Sequence, residues 1–567
     1  MLRLVVLSSF IGLASLWAAG EQVLDLDFVD LEGRVHHLSE FHKAPALIVA
    51  AFRHNCPVSL KSLPSLVRLS KENPTVPLII VNTSDEASSE TLRGALRRAG
   101  FSGIVAPDTN HSLGKALAIR SSTETFVLDG ARTIRYRGPI HDQYGLGTAR
   151  ATVTKEYLKE ALQDVLAGRR VRTQEVEAPG CHLNYSDAKP PSQHRIEYYP
   201  RLARIIQDRC EACHRQGEAG PMAFTRYEEV KDNREMIKFV VESGIMPPWF
   251  PHAGSGPFEN DHSLTQSEKA DLLAWIEAGT PEGDKALAPV PIRWPTGWTL
   301  GTPDSILKIP RAKVPAEGKI PYRYVELPTQ FSEDKWITSV EFRMIHPKNV
   351  HHILVFLKDS EQLKTQGLSG VFAGMVPGSA AWQYPEEAAV FLPRGAHLVF
   401  QIHYQVSGTE VEEESLLGFR FAKGPTPYRM ECLAPYNTSF AIPPGDPAHR
   451  VEGTYTFQKH FRILSFHPHM HLRGKAFTYE LLYRNGARKT ILDLPRYNFN
   501  WQLTYQLRQP IDVPAGTQMR AIAIYDNSAN NPANPDPTQT VRFGQQSEEE
   551  MMIGYFDGYA LNLPMGN

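Results

Sequence analysis

The most specific spacing in the sequence is a pair of cysteines followed directly by a histidine. Cys210 and Cys213 are three positions apart, and His214 comes next. Two such thiols can form thioethers to the vinyl groups of one heme, and the histidine then lies under the iron. The alternatives are half of a zinc site and a redox-active cysteine pair. Zinc requires a second Cys or His pair at ligand spacing downstream, and the sequence contains none. The motif therefore predicts one covalently attached heme c.

A methionine is the expected sixth ligand, because a soft thioether suits a heme that transfers electrons at a fairly high potential. Met246 lies in the string GIMPPW (244–249), where two prolines stiffen the loop. Met222 and Met236 are the alternatives, and Met236 lies in helix-like sequence that fits core packing. Residues 199–285 as a whole resemble a small class I c-type cytochrome, which implies that His214 and Met246 bind the iron.

Three histidine-containing strings in the C-terminal half provide a second set of candidate metal ligands. His469 and His471 are two positions apart, so on a strand they face the same way and can chelate one ion. His351 and His352 point to opposite faces of a regular strand, so they can share a metal only if the backbone bends there. With His403, these imidazoles suit copper better than zinc or calcium. The alternative is a set of core or solvated histidines.

This arrangement resembles the catalytic core of the copper type II, ascorbate-dependent monooxygenases, the peptidylglycine and dopamine hydroxylase family. The resemblance implies two β-sandwich domains of the jelly-roll type, each carrying one copper ion. By motif match, the electron-storing site is formed by His351, His352 and His403. The catalytic, oxygen-binding site is formed by His469, His471 and Met551.

Met551 is preferred to Met552 because the acidic residue before it and the strand after it match the family string.

Two features depart from the family. The animal enzymes staple these domains with several disulfides, whereas this region has only Cys432. His467 stands where the family has an arginine that holds a peptide carboxylate, which argues against a peptide substrate.

Cys56 is a third candidate centre, because it follows a buried strand and opens a predicted helix, whose dipole lowers the pKa of a thiol. Residues 21–170 resemble the thioredoxin-like redoxins, the alkyl hydroperoxide reductase and thiol-specific antioxidant group. Ser59 stands where that group has a second active-site cysteine, and Thr123 where it has a cis-proline. Cys181 is a candidate resolving partner. Cys56 is therefore a catalytic or metal-handling thiol, or else its domain serves only for docking.

The hydrophobic pattern predicts the elements that position these groups. Residues 21–170 alternate apolar strands with helices, which indicates an α/β thioredoxin-like domain, and 171–198 has the composition of a linker. Residues 199–285 are predicted to form an all-α cytochrome c domain. Short alternating strands with Pro and Gly turns then predict an all-β double sandwich, divided into 290–425 and 426–567.

Three local signals give sharp structural predictions. Thr265 and Glu268 form a capping box that begins a helix ending at Gly279. Asp129-Gly130 and the string Arg484–Ala487 are typical of hairpin turns between strands.

Residues 1–20 are typical of a secretory signal, with Arg3, an apolar stretch over Leu4–Trp17 and small residues before Glu21. A membrane anchor is the alternative, but it requires about 20 apolar residues, and this run is shorter. No later run is long enough to span a bilayer. We therefore expect a periplasmic or secreted protein with no membrane span after cleavage.

The composition excludes several classes of protein. Lys and Arg number 60 and Asp and Glu 62 among 567 residues, so no basic surface drives nucleic-acid binding. A hydrophobic fraction of 42% with 22% charged residues excludes a disordered chain. Five cysteines are too few for a disulfide scaffold of this length.

Together these features predict an oxidoreductase: a copper-dependent monooxygenase that hydroxylates a C–H bond with O2 and carries two copper ions and one heme c. The fused heme domain supplies electrons in place of ascorbate. The expected partners are O2, an organic substrate, and an ascorbate-like reductant or a periplasmic redox protein. The alternatives are a non-catalytic electron-transfer or copper-handling protein and a thiol peroxidase centred on Cys56.

Overall fold

A computed structural model of the chain describes residues 20–84, 89–109, 111–183, 196–358, 371–376, 381–424 and 426–561. The predicted signal segment, apart from its last residue, lies outside the described residues, as do residues 184–195 of the predicted linker. The chain divides into two compact units, one formed by 1–142 with 154–187 and the other by 143–153 with 188–567. Within the described ranges, no helix has the length and apolar character needed to cross a membrane.

The first unit is an α/β domain. Its helices are α1 (Pro57–Glu72), α2 (Ser89–Arg98), α3 (Ser112–Ala116) and α4 (Tyr157–Leu166). Its strands are β1 (Asp27–Val29), β2 (Val35–His37), β3 (Leu47–Phe52), β4 (Leu78–Asn82), β5 (Ile104–Ala106), β6 (Thr125–Leu128) and β7 (Ile134–Gly138). The order β5-β4-β3-β6-β7 forms one sheet, with β3, β4 and β5 parallel and β6 and β7 antiparallel to their neighbours.

The apolar run of β3 is buried on both faces, as a central parallel strand requires. Ile48, Ala50 and Phe52 pack with apolar residues of α1, α2 and α4 on one face. Leu47 and Val49 join a second cluster on the opposite face. The α/β prediction is confirmed, and the turn after Asp129 joins β6 to β7 as the hairpin signal predicted.

The second unit begins with a short hairpin and four helices. These elements are β8 (Tyr144–Gly145), β9 (Thr148–Ala149), α5 (Ala203–Arg209), α6 (Tyr227–Asp232), α7 (Arg234–Glu242) and α8 (Gln266–Glu277). Thr265 caps α8, its side chain accepting from the Glu268 backbone N–H while Glu268 accepts from the Thr265 backbone N–H. The predicted capping box is therefore confirmed, and residues 199–280 contain these four α-helices, with long non-helical segments after α5 and after α7.

The rest of the second unit is β structure. Its strands are β10 (Ser305–Lys308), β11 (Ala312–Val314), β12 (Arg323–Pro328), β13 (Lys335–Met344), β14 (Val350–Leu357), β15 (Val371–Met375), β16 (Ala381–Gln383), β17 (Ala388–Leu392), β18 (His397–Tyr404), β19 (Val411–Glu413), β20 (Ser415–Phe421), β21 (Tyr428–Leu433), β22 (Tyr436–Asn437), β23 (Ala441–Ile442), β24 (His449–Thr456), β25 (Phe461–His469), β26 (Gly474–Leu482), β27 (Arg488–Leu494), β28 (Tyr505–Val513), β29 (Gln518–Tyr525), β30 (Val541–Arg542) and β31 (Met552–Ala560). The predicted hairpin turn at 484–487 joins β26 to β27.

These strands form two layered halves that share one sheet. A four-stranded sheet, β12-β18-β14-β15, packs on β13 and β20 in the first half, and β24-β29-β26-β27 packs on β25 and β31 in the second. The sheet β10-β20-β13-β17-β21-β31-β25-β28 runs through both halves. A parallel pair between Ala388 and Tyr428 joins them. The sequence predicted two successive sandwiches but not the sheet that they share, because strand alternation does not reveal which strands pair across a domain boundary.

Candidate metal and redox centres

The first histidine cluster forms where β14 and β18 pair. His351, His352 and His403 each offer a ring nitrogen, and the three atoms lie within 4.8 Å of one another. His352 is the register partner of His403, and the register shifts between Val350 and His352. The bulge supplies the backbone bend that lets two consecutive residues reach one site. The ring centroids are 5.0 to 5.3 Å apart.

Hydrogen bonds and burial leave this cluster ready to bind a cation. His351 donates Nε2–H to the Asn500 carbonyl at 3.0 Å, so its Nδ1 faces the cluster, 3.0 Å from His352 Nδ1. His352 Nε2 and His403 Nδ1 are buried without a partner among the described residues. Burial, reinforced by the neighbouring imidazoles, lowers the pKa of both residues well below the usual value. Neutral imidazoles with unpaired nitrogens are the donor set that copper takes.

The second pair of histidines lies where β25 ends: His469 is the last residue of the strand, and His471 lies two positions beyond it, whereas the sequence predicted both on one strand. The His469 and His471 rings are 5.3 Å apart. His469 donates Nδ1–H to Gln502 Oε1 at 2.8 Å, and His471 donates Nδ1–H to the Glu549 carbonyl at 3.1 Å. These bonds fix both tautomers, so each Nε2 carries the lone pair that could bind a metal ion. Burial lowers the pKa of His469 to about 4 and that of His471 to about 3.

Met551 directly precedes β31, the strand that pairs with the end of β25. His469 is the register partner of Ile553 in the β25–β31 ladder. Met551 packs in one small cluster with Ile553 and Tyr555, and the Tyr555 ring lies 6.3 Å from the His469 ring. Met552 is buried instead in the large core of the second β half. Of the two methionines, Met551 therefore shares its surroundings with His469.

One aromatic ring lies beside both clusters. The Phe499 centroid is 5.7 Å from His351, 6.2 Å from His403 and 6.0 Å from His471. His469 and His471 also contribute to the lowered pKa of His352. The two clusters are thus near neighbours within one unit.

Sequence reasoning missed the residues that hold the histidines. Asn500 and Gln502 lie between β27 and β28, and no spacing relates them to the histidines they contact. Glu550 is fully buried, and its carboxylate accepts from the backbone N–H groups of His471 and Arg473 at 2.8 and 2.6 Å. Burial raises the pKa of Glu550 to about 8. The sequence feature that pointed to Glu550 was its place as the acidic residue directly before Met551.

An apolar cavity of about 1240 Å³, its open mouth included, reaches His469. Leu354, Phe372 and Met430 are among its apolar lining residues. His467 forms part of the wall and stacks on Trp382 at 5.0 Å. Its nitrogens lie 2.5 Å from Asp557 Oδ2 and 2.8 Å from Thr504 Oγ1.

The cysteine–cysteine–histidine motif follows α5. His214 donates Nδ1–H to the Met222 carbonyl at 3.0 Å and stacks on Phe224 at 4.5 Å, so its Nε2 is the free donor. A Cβ at Gly220 would lie 2.9 Å from His214 Nδ1, so this close approach requires glycine. Burial raises the pKa of Cys210 to about 12 and also raises that of Cys213. Both thiols are therefore protonated in the metal-free chain.

The three candidate methionines differ in exposure. Met222 and Met236 are buried, and Met236 packs within α7. Met246 is half-buried in the loop after α7. Met246 is therefore the least buried of the three side chains, and its role as a heme ligand stays a prediction.

Cys56 caps the N-terminus of α1 in the first unit and is fully buried. Burial raises the pKa of its thiol, but hydrogen bonds with Cys181, Ser122 and Ser59 outweigh that effect and bring the pKa to about 5. Cys181 is equally buried, and neither cysteine is in a disulfide. The structure thus brings the predicted partner to Cys56.

Two family models match parts of the chain. The Redoxin model matches residues 18–145, and the model for the C-terminal domain of copper type II ascorbate-dependent monooxygenases matches residues 429–564. Neither of these two models extends over residues 146–428, which include the cysteine–cysteine–histidine motif. No curated protein matches the chain.

Solved structures match the chain over short stretches. A hypothetical protein from Sinorhizobium meliloti is 25% identical over 30% of this chain and 96% of its own, with a TM-score of 0.28. An uncharacterized protein from Geobacillus kaustophilus is 21% identical over 31% and 95%, with a TM-score of 0.28. The thioredoxin domain of a Bacteroides vulgatus thiol-disulfide oxidoreductase is 16% identical over 21% and 85%, with a TM-score of 0.19. The chain is a redox-related multidomain protein with a thioredoxin-like redoxin domain and a copper monooxygenase-type C-terminal domain.

Proposed function

We propose that this protein is a copper-dependent monooxygenase that hydroxylates a C–H bond of an organic substrate and receives electrons through a covalently attached heme c. The observation that carries the proposal is the pair of buried, neutral histidine groups in one β unit. One of these groups borders an apolar cavity. The overall reaction consumes the substrate, O2, two electrons and two protons, and it yields the hydroxylated product and water.

Two copper ions bound at these centres would supply oxygen activation at one site and electron storage at the other. The residues that would hold them are His351, His352 and His403 at the first centre and His469, His471 and Met551 at the second. Asn500, Gln502 and Glu549 fix the orientation of three of the imidazoles through their second ring nitrogens. These three imidazoles therefore present a lone pair, not an N–H group, toward the metal that each would bind.

The cavity beside His469 supplies the binding site for the substrate. Its largely apolar wall favours an organic molecule that presents a C–H bond. His467 and Asp557 are paired by a hydrogen bond in the cavity wall. Neither side chain therefore offers an unpaired charge that could bind a peptide carboxylate. This supports a substrate other than a peptide.

The residues around His214 fit a heme, because its Nδ1 is anchored and its Nε2 is free, with two protonated thiols on the preceding turn. Lys348 donates from Nζ to the Pro221 carbonyl at 3.3 Å, and its charge lowers the pKa of His214 further, after burial. Lys348 lies three residues before His351. This contact between the motif loop and the start of β14 supports electron delivery to the first centre.

Metal and heme content provide the first test. We expect two copper ions and one covalently bound heme per chain, measured by elemental analysis and by the optical spectrum of the denatured protein. Turnover with isotopically labelled O2 should place one labelled oxygen in the product. Copper binding without oxygen consumption would instead favour a non-catalytic electron-transfer or copper-handling protein.

A matched pair of methionine variants tests the catalytic centre. Met551→Leu should abolish hydroxylation while the first centre still exchanges electrons, because only the second centre loses a ligand. Met552→Leu makes the same volume-conserving change in the core and should retain activity. Equal activity of the two variants would contradict the role of Met551.

Electron delivery has its own test. Heme reduced without oxygen should be reoxidised faster when the copper sites hold oxidised copper than when they are empty. Equal rates in both preparations would contradict electron transfer from the heme to copper. The monooxygenase proposal would still be tested separately, by the labelled product.

A further inference from the structure

The segment of the first unit that follows α4 packs against the loop before β6, at residues 120–123. Ser122 donates its backbone N–H to the Cys181 carbonyl at 3.0 Å, and Cys181 donates its backbone N–H to Ser122 Oγ at 2.9 Å. Leu183 donates its N–H to the Arg120 carbonyl at 2.9 Å. These bonds fix the segment 179–183 on the domain.

The same segment is packed too closely for an added side chain at Gly180. A Cβ there would lie 2.4 Å from Ser121 Oγ and 2.7 Å from Thr123 Oγ1. Thr123 donates its hydroxyl to the Pro179 carbonyl at 2.9 Å. Glycine therefore allows the approach that brings the next residue, Cys181, onto the domain.

Cys181 is brought against the N-terminus of α1. Ser59, one turn after Cys56, donates its hydroxyl to the Ser122 carbonyl at 2.8 Å, so the helix and the loop under Cys181 are joined. The thiols of Cys56 and Cys181 are within hydrogen-bonding distance of each other, and both residues are 0% exposed. Two thiols 125 positions apart in sequence thus meet in a closed site.

We propose that Cys56 and Cys181 form a dithiol–disulfide redox centre that exchanges electrons with external disulfides. Ser59 occupies the helix position that would otherwise carry a second cysteine, and the segment 179–183 supplies that cysteine instead. The centre uses neither copper nor heme, so it goes beyond the proposed monooxygenase function and is independent of it.

The reaction is a thiol–disulfide exchange in two steps. The Cys56 thiolate attacks one sulfur of an external disulfide RSSR, forming a mixed disulfide and releasing RS⁻. The Cys181 thiol then transfers its proton to that RS⁻ and attacks the Cys56 sulfur, releasing a second RS⁻. The protein dithiol is oxidised by two electrons, and RSSR is reduced to one RSH and one RS⁻.

The positions of the two sulfurs assign their roles. Cys56 lies at a helix N-terminus, where the helix dipole favours a thiolate, so it is the attacking group. Cys181 lies on a segment held by backbone hydrogen bonds, so it is the resolving group. Because both residues are fully buried, an external disulfide reaches Cys56 only after a local opening of the domain, and the internal disulfide is shielded once it has formed.

Peptide mapping of the full-length protein tests the proposal. The protein is equilibrated with oxidised and reduced glutathione, quenched in acid and alkylated. We expect one crosslinked peptide pair joining Cys56 to Cys181, lighter by two hydrogen atoms and lost on reduction. Cys432→Ser should leave the crosslink unchanged. Metal-free protein should give the same result, which separates this centre from the copper chemistry.

A backbone variant tests the geometry with both cysteines present. Gly180→Ala should reduce the crosslinked fraction and leave glutathione attached to Cys56, because the added Cβ displaces the segment that carries Cys181. Glu177→Ala, at an exposed position three residues earlier, should behave as the unaltered protein. Absence of the crosslink in the folded unaltered protein, or stable glutathione on its Cys56, would overturn the proposal.

Discussion

The two histidine centres use the same side chain but are built differently. The first takes three imidazoles from two paired strands, and its hydrogen bonds leave two buried nitrogens unpartnered among the described residues. The second takes two imidazoles from the end of one strand, and non-strand residues hold both of their Nδ1 atoms. The first centre is a closed set of three ligands, whereas the second needs a further ligand. Under the proposed function, this difference separates electron storage from oxygen binding.

The largest expected effect is the loss of one whole metal site. His403→Ala should lower the copper content from two ions per chain to one, because two imidazoles remain at a centre that needs three. Elemental analysis after dialysis against a weak chelator provides the measurement. His397→Ala removes an exposed histidine from the same strand and should retain both ions. Two ions in the His403 variant would contradict the three-ligand assignment.

The next effect concerns the carboxylate under the second centre. Glu550→Ala should lower the free energy of unfolding by about 3 kcal/mol, because the buried N–H groups of His471 and Arg473 lose their acceptor. Chemical denaturation of metal-free protein measures this change. Glu549→Ala keeps the carbonyl that holds His471, and its side chain is exposed, so little change is expected. Equal stability of both variants would contradict a supporting role for Glu550.

A smaller effect is the pH dependence of metal-free protein. Unfolded imidazoles take up protons near their ordinary pKa of 6.5, while His469 and His471, at about 4 and about 3, stay neutral in the folded chain. The unfolded state then binds more protons, so stability falls as the pH drops below 6.5. We expect a loss of about 2 kcal/mol between about pH 7 and about pH 5.7, with about 1 kcal/mol from each residue. Replacing both residues by glutamine should remove most of this slope in urea titrations, and an unchanged slope would contradict their burial.

The smallest expected effect concerns Gln502, whose side chain holds His469 of the second centre in place. Gln502→Ala should weaken copper binding at the second centre by about tenfold, because His469 loses the acceptor that fixes its tautomer. Competition with a chelator measures the affinity of each centre. The first centre should be unaffected, and Gln518→Ala, at an exposed position, provides the control. A loss at both centres would indicate that Gln502 acts through the fold.

The sequence predicted the parts of these centres that depend on local geometry. His469 and His471 are only two positions apart, at the end of β25 and just beyond it, so their rings meet within one short stretch of backbone. The capping box at Thr265 likewise forms within one helical turn. Asn500 and Gln502 escaped prediction because their contacts with His351 and His469 join residues 149 and 33 positions apart, respectively. Their own neighbours in the sequence contain no pattern that marks such contacts.

The cysteines show the same division. The spacing of Cys210, Cys213 and His214 is a property of the sequence alone, since three nearby residues are constrained by their own backbone. Sequence also determined the α/β and β character of the two ends of the chain, through the period of the apolar residues. Only the tertiary structure brought Cys181 onto Cys56, joined the two β halves through one sheet, and placed both histidine clusters beside Phe499. Long-range pairing is fixed by the packing of whole elements, and local spacing carries no record of it.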